Sequence, residues 1–431
     1  MNDAFNLACS IGGYAVLAAF IALTVVEALR YFKTALEETP VQRSMDPARP
    51  LGKIVLEALI ALAISRALII GIIAICYYAT NHQLLDFGNA LSFIWKRWDA
   101  GQYLPLIEHG YLTEGDERLR IVFLPLYPML CRFLCDTSGI SPFACATLVS
   151  NICLVVATLG LSRLAQLEYG DIAARRVIWI TMFCPVTFFF SQPFSESLFL
   201  MLTVLAVLFA RQKRWALAVF FGALATNTRI LGMAVAIPIF WEMLKETRVR
   251  CAANGIALKS AAFWVRATLC ILGVLPVALG LLAYLNLNRR LFGDPFMFLT
   301  FQRENWFQRF GSLNETFRYT LYNAFTFQNI AYRTGTWGPQ LVALVGVPLL
   351  VFLRRKRSSA SDSAYALVYH YISYAPTWLL SGMRYTSGMY ALYLLLAGVA
   401  ESRKSFFILF GIETILLIYM VVAGPWVGFV L

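Results

Sequence analysis

Apolar positions gather along the chain into long runs separated by short polar connections. The first run, residues 9–29, follows a head with Asp3 in place of a basic stretch, so a retained helix with its N-terminus outside is expected. The second, residues 54–79, exceeds the roughly 20 residues needed to cross a hydrocarbon core. Arg30, Lys33, Arg43, Arg49 and Lys53 lie between them and assign residues 30–53 to the cytoplasm by the positive-inside rule. The stretch 80–120 then emerges outside. It is polar, aromatic and acidic, with Asp86, Asp99, Glu108, Glu114, Asp116 and Glu117.

Residues 121–135 are apolar but short, broken by Pro125 and Pro128 and interrupted by Arg132, which predicts a re-entrant or in-plane helix. Parity then runs 143–164 inward, bringing Arg163, Arg175 and Arg176 to the cytoplasm. Short spans follow at 177–193, 194–210, 215–227 and 228–244, with Arg211, Lys213 and Arg214 as an inner stop. The basic linker 245–266 is cytoplasmic, 267–287 crosses outward, and a second outside loop covers 288–339. Spans at 340–353, 365–381 and 385–400 and one from 406 complete about 11–13 transmembrane helices in one all-α domain, residues 31–431, preceded by the extra helix 1–30. The second loop breaks the charge rule, because Arg289, Arg290, Arg303, Arg309, Arg318 and Arg333 outnumber Asp294, Glu304 and Glu315. Either the topology is off by one there or these cations meet something anionic.

Composition agrees with the pattern. Of 431 residues, 59% are hydrophobic and 14% charged, which excludes a soluble enzyme and a disordered chain. The net charge of +12 falls mostly in short loops between apolar runs, so it orients the protein in a membrane and does not mark a nucleic-acid face. Nine cysteines stand singly, indicating neither a zinc site nor a disulfide framework.

Candidate chemistry collects on one expected membrane face. Asp99, beside Trp98, can take a proton from a hydroxyl. His109 is a second ionisable group ten residues on. Glu196 stands among aromatic residues at a helix start, while Arg229 and Arg384 mark two further outer helix ends, where a planar fork could hold a phosphate. Acids for proton transfer and arginines for phosphate together suggest a hydroxyl nucleophile and a lipid phosphate leaving group. No nucleotide phosphate loop, HExxH or GxSxG motif is present.

The run RWDAGQYLPLIEHGY from Arg97 to Tyr111 resembles the family of the second mannosyltransferase of glycosylphosphatidylinositol assembly, the PIG-V family, and its bacterial relatives. Weaker blocks follow in the family's order: FLPLYP (123–128), SESLF (195–199), TRILG (228–232), FGDPF (292–296) with Gln302 and Trp306, and MRY (383–385). The resemblance spans about residues 50–400 and implies a GT-C type glycosyltransferase fold. It also implies transfer of a sugar, typically mannose, from a polyprenyl-phosphate donor to a lumenal or periplasmic acceptor, with inversion. Asp99 maps onto the catalytic acid as general base. His109 and Glu196 match motif positions as further catalytic candidates, Arg229 and Arg384 are candidates for the donor phosphate, and Trp98, Gln102, Tyr103, Gln302, Trp306 and Tyr385 for substrate contacts.

No metal ligands and no required cofactor are assigned. The acceptor is a glycolipid, a glycan or a protein, and the expected setting is a bacterial plasma membrane with the site facing the exterior, or the endoplasmic reticulum lumen in a eukaryote. The extra N-terminal helix could anchor a small membrane partner subunit. Two rival readings are a transporter of lipid-linked sugars, which would call for paired halves with midplane charges, and a noncatalytic scaffold, in which Asp99→Asn would be tolerated.

Overall fold

The computed structural model describes residues 2–37, 50–84 and 96–427, with side chains omitted at 2, 3 and 424–427; Arg43, Arg49, Asp86 and the Asp3 side chain lie outside the described residues and atoms. In chain order the helices are α1 (Asn2–Glu37), α2 (Leu51–Asn81), α3 (Ala100–His109), α4 (Leu126–Ser138), α5 (Pro142–Tyr169) and α6 (Asp171–Phe183). Then come α7 (Glu196–Arg211), α8 (Trp215–Thr228), α9 (Ala236–Ala253), α10 (Ala261–Val274), α11 (Leu279–Phe292) and α12 (Met297–Asn305). The last are α13 (Leu313–Thr326), α14 (Gly338–Arg354), α15 (Ala360–Tyr374), α16 (Gly382–Ser387), α17 (Tyr390–Val399) and α18 (Arg403–Val427).

Six runs among the described residues are long and apolar enough to cross a membrane: Ala4–Glu37, Leu51–Asn81, Pro142–Tyr169, Ala261–Phe292, Ile330–Arg354 and Arg403–Ala423. The protein is an all-α, multi-pass integral membrane protein. Trp215–Thr228 and Tyr390–Val399 are shorter apolar helices, and they account for part of the larger expected count.

The packing is layered by exposure. At the centre, α7 is apolar on nearly every side, with all but Met201 and Leu205 buried between Leu198 and Val207, and packs mainly against α5 and α8. Around it, α2, α10 and α18 turn Leu56, Ile60, Ile64, Val265, Leu272, Ile408 and Ile415 outward, the arrangement expected of lipid-facing helices. Local signals set the helix starts: Ser141 Oγ accepts from the Ala144 amide and Pro142 occupies the first turn of α5, while Ser260 caps α10 through Phe263 N.

Several expected spans break early, and the breaks position the site. The segment expected as one span over 177–193 ends its helix at Phe183, because Pro185 drives Cys184 into an extended conformation (φ −55°, ψ 147°). The reversal expected between 215–227 and 228–244 falls at Arg229, which is extended (φ −153°, ψ 139°), and the second helix starts only at Ala236 after a tight turn. The segment 365–381 stops being helical at Tyr374; Pro376 follows, and Thr377 N donates to the Arg309 carbonyl while Gly311 N donates to the Ala375 carbonyl, a two-bond bridge around Phe310 and Pro376. Cys184 and Ala375 at these breaks are buried, so the irregular backbone there is packed within protein.

Where α8 meets α11 the two backbones touch. A Cβ on Gly280 would collide with the Ala223 carbonyl oxygen, and Asn227 Nδ2 donates to the Gly280 carbonyl at 2.8 Å. Gly280→Val is therefore expected to cost about 1–3 kcal/mol, read as a lower apparent melting temperature of the detergent-solubilised protein; an unchanged melt would contradict the contact.

Candidate active site: a buried charge quartet at helix breaks

Four charged side chains from distant parts of the sequence converge at one end of α7. Glu196 is its first residue. Arg229 follows the last residue of α8 and places Nη1 2.6 Å from Glu196 Oε1. Arg384, on α16, places Nη2 2.7 Å from Asp99 Oδ2 and Nε 3.3 Å from Glu196 Oε1. Asp99 immediately precedes α3. Two carboxylates and two guanidiniums balance one another, as a buried cluster must.

Exposure distinguishes the four. The Glu196 and Arg384 side chains are 3% and 4% exposed and Arg229 is 16%, whereas Asp99 is 31% exposed. Asp99 is thus the carboxylate an external hydroxyl can reach. Among the described residues, Arg384 Nη1 and Glu196 Oε2 are buried without a hydrogen-bond partner, so within them the quartet retains a donor and an acceptor for something else. Burial alone would lower the Arg384 pKa, but Asp99 and then Glu196 hold it above its ordinary value, so the guanidinium is a permanent cation.

Aromatic rings wall this charge. The Arg384 guanidinium lies 5.6 Å from the ring centre of Phe189, 5.2 Å from Phe194 and 5.4 Å from Tyr385, and Arg229 lies 4.9 Å from Tyr385. Trp98 packs on Phe188 and Phe189 and adopts a left-handed backbone (φ 53°), an uncommon conformation for a bulky residue and one that sets the direction of Asp99. Tyr103 donates its hydroxyl to Ser195 Oγ at 2.8 Å, and burial, then Glu196, raise its phenol above its usual value, so it is a neutral donor.

Of the residues expected from sequence, Trp98, Asp99, Tyr103, Glu196, Arg229, Arg384 and Tyr385 are brought together. Gln102 is one step away, its Oε1 accepting from Arg120 Nε at 3.2 Å. His109 ends α3, about 15 Å along the helix from Asp99; it is 63% exposed, pairs with Glu108 at 3.7 Å and does not join the quartet. Gln302 and Trp306 lie on and just after α12, which packs on the turn at 116–122 through Arg118 and Phe301.

Ser195, Phe189 and Phe194 lie in the stretch around Glu196 that the sequence marks, but none of them has a role of its own assigned there. Ser195 bridges Tyr103 and Arg229, the latter at 3.4 Å, a role that adjacency to Glu196 hinted at but spacing could not assign. Arg66 was also missed, although a cation halfway along an apolar span is a signal in itself; its guanidinium lies 3.3 Å from Thr187 Oγ1, next to Phe188 beneath Trp98. Among the described residues, no three His, Cys, Asp or Glu side chains are grouped so as to hold a metal ion. Compared with models of protein families, with curated proteins and with solved structures, the chain matches none.

Proposed function

We propose that the protein is a membrane glycosyltransferase of the GT-C type, related to the PIG-V family, that moves a sugar, typically mannose, from a polyprenyl-phosphate carrier to a hydroxyl of a glycolipid, glycan or protein. The observation that carries this reading is the quartet itself: a reachable carboxylate, Asp99, held 2.7 Å from a buried guanidinium that keeps a donor unused among the described residues. Asp99 accepts the proton of the acceptor hydroxyl as its oxygen attacks the anomeric carbon. The bond from that carbon to the phosphate oxygen breaks, its electron pair leaves with the polyprenyl phosphate, and the configuration inverts. Arg384 and Arg229 stabilise the departing phosphate, where fixed cations in a dry site act most strongly. Glu196 holds both arginines in place, and Tyr103 fixes Ser195 beside them. The site faces the exterior or the lumen, as the charge pattern of the loops suggests.

The test is carrier consumption. Purified protein in nanodiscs is incubated with polyprenyl-phosphate mannose and a panel of acceptors, and both the consumed carrier and the anomeric configuration of the product are measured. Carrier movement across the bilayer without sugar release would favour the transporter reading instead. Arg384→Ala is expected to lower turnover and raise the donor KM with the acceptor KM little changed; an effect confined to the acceptor KM would remove Arg384 from the phosphate.

A further inference from the structure

A cavity of about 720 Å³ lies at the other end of the bundle, between α8, α9 and α10 and the turn Leu275–Ala278. It falls within the roughly 300–1,000 Å³ typical of ligand pockets. Its place is fixed by Glu246, a lining residue bridged to Lys213, which follows the far end of α7. The quartet is therefore separated from it by the length of that helix, about 22 Å.

The wall has two chemistries. Towards the α9–α10 connection it is polar, with Glu246, Arg250, Asn254 and Arg266; along the span it is apolar, with Val219, Leu269, Gly273 and Pro276. Gly273 contributes no side chain, and Pro276 sits where α10 gives way to a tighter turn, so the apolar part is a groove in the helix surface. Leu269 is 57% exposed, and Trp264, Val265 and Leu272 of the same helix also face outward, which puts the groove on a lipid-facing side.

The polar end carries surplus positive charge. The Glu246 carboxylate is shared by Lys213 at 2.5 Å and Arg250 at 2.7 Å, and among the described residues the Arg266 guanidinium hydrogen-bonds only the weak thiol acceptor Cys251 Sγ at 3.7 Å. We propose that this cavity is a binding site for an anionic phospholipid, with its phosphate at Arg250 and Arg266 and an acyl chain along Val219, Leu269, Gly273 and Pro276. A zwitterionic lipid would leave the excess charge uncompensated, and a free phosphate would leave the apolar groove unused. The site is independent of the sugar-transfer reading.

The full chain, delipidated in detergent, is titrated with dioleoyl phosphatidylglycerol, dioleoyl phosphatidylcholine and inorganic phosphate, and bound lipid is counted by native mass spectrometry. Phosphatidylglycerol is expected to bind most tightly. Arg266→Ala should weaken it about fivefold, the worth of one cation at an anionic leaflet, and the Arg250→Ala, Arg266→Ala double variant about 25-fold. Gly273→Leu should weaken it with both arginines intact, whereas Lys259→Ala, exposed at the same end and outside the cavity, should match wild type. Equal binding of phosphatidylcholine or of phosphate alone, or wild-type binding by the double variant, would overturn the proposal. Arg266, which makes no ion pair among the described residues, keeps the test open should Gly273→Leu fail to fold.

Discussion

Asp99→Asn is expected to lower sugar transfer by about 10²–10⁴-fold, the usual worth of a positioned general base, while the protein remains folded and membrane-inserted. Asn preserves the volume and leaves an oxygen to accept from Arg384 Nη2. It cannot take the acceptor's proton. The substitution also unbalances the quartet, since Arg384 and Arg229 would then share Glu196 alone, so a modest fall in melting temperature should accompany the loss of rate. Initial rates of carrier consumption and thermal melts of the same preparations separate the two effects. Turnover near the wild-type value would remove Asp99 from the chemistry and favour the scaffold reading.

Arg211→Ala is expected to cost about 3–5 kcal/mol of stability, the range for removing one partner from a buried ionic cluster. Arg211 ends α7 and lies 2.9 Å from Glu168 of α5, 3.5 Å from Glu242 of α9 and 2.7 Å from Asp362 of α15. Glu168 and Asp362 are 2% exposed at the side chain. Tyr390 donates to Asp362 and the Ser359 amide to Glu168, so five helices meet at this point. Without the guanidinium, three carboxylates would face one another out of water. Arg211→Lys should recover only part of the loss, because one ammonium cannot bridge three acids as a planar fork does. Transfer per folded molecule should hardly change, since the quartet is at the other end of the helix. Wild-type melting of Arg211→Ala would show that the acids are satisfied without it.

The two clusters also mark what could be read from sequence. Long apolar runs revealed the spans, and the acids and arginines with motif character were nearly all found in the quartet. Their meeting was not legible: Asp99 and Arg384 are far apart in the chain, and only helix breaks at Pro185, Arg229 and Pro376 bring their ends together. His109 was included as a second ionisable group ten residues after Asp99, and on a helix that spacing is a separation. Arg211 was read as part of a basic loop because hydropathy averages a short run. The fold turns it inward to the acids, while Lys213, two residues on, stays exposed and reaches Glu246.

The helix α1 has a consequence for how the molecule is made. It continues unbroken to Glu37 and is seated against residues far downstream: Phe5 on Tyr322, Gly13 against Asn314, and Arg30 on the Ser358 carbonyl, 328 positions away. At about 5–20 residues per second, α1 waits on the order of 15–65 s in the bilayer before its seat has been synthesised. During that interval it must carry the acidic Glu27 without the downstream helices. Arg30, one turn along the same helix and 2.9 Å from that carboxylate, travels with it. The ion pair lets the helix enter lipid already neutralised and dock late, so Arg30→Ala should show its defect during insertion and maturation in the cell.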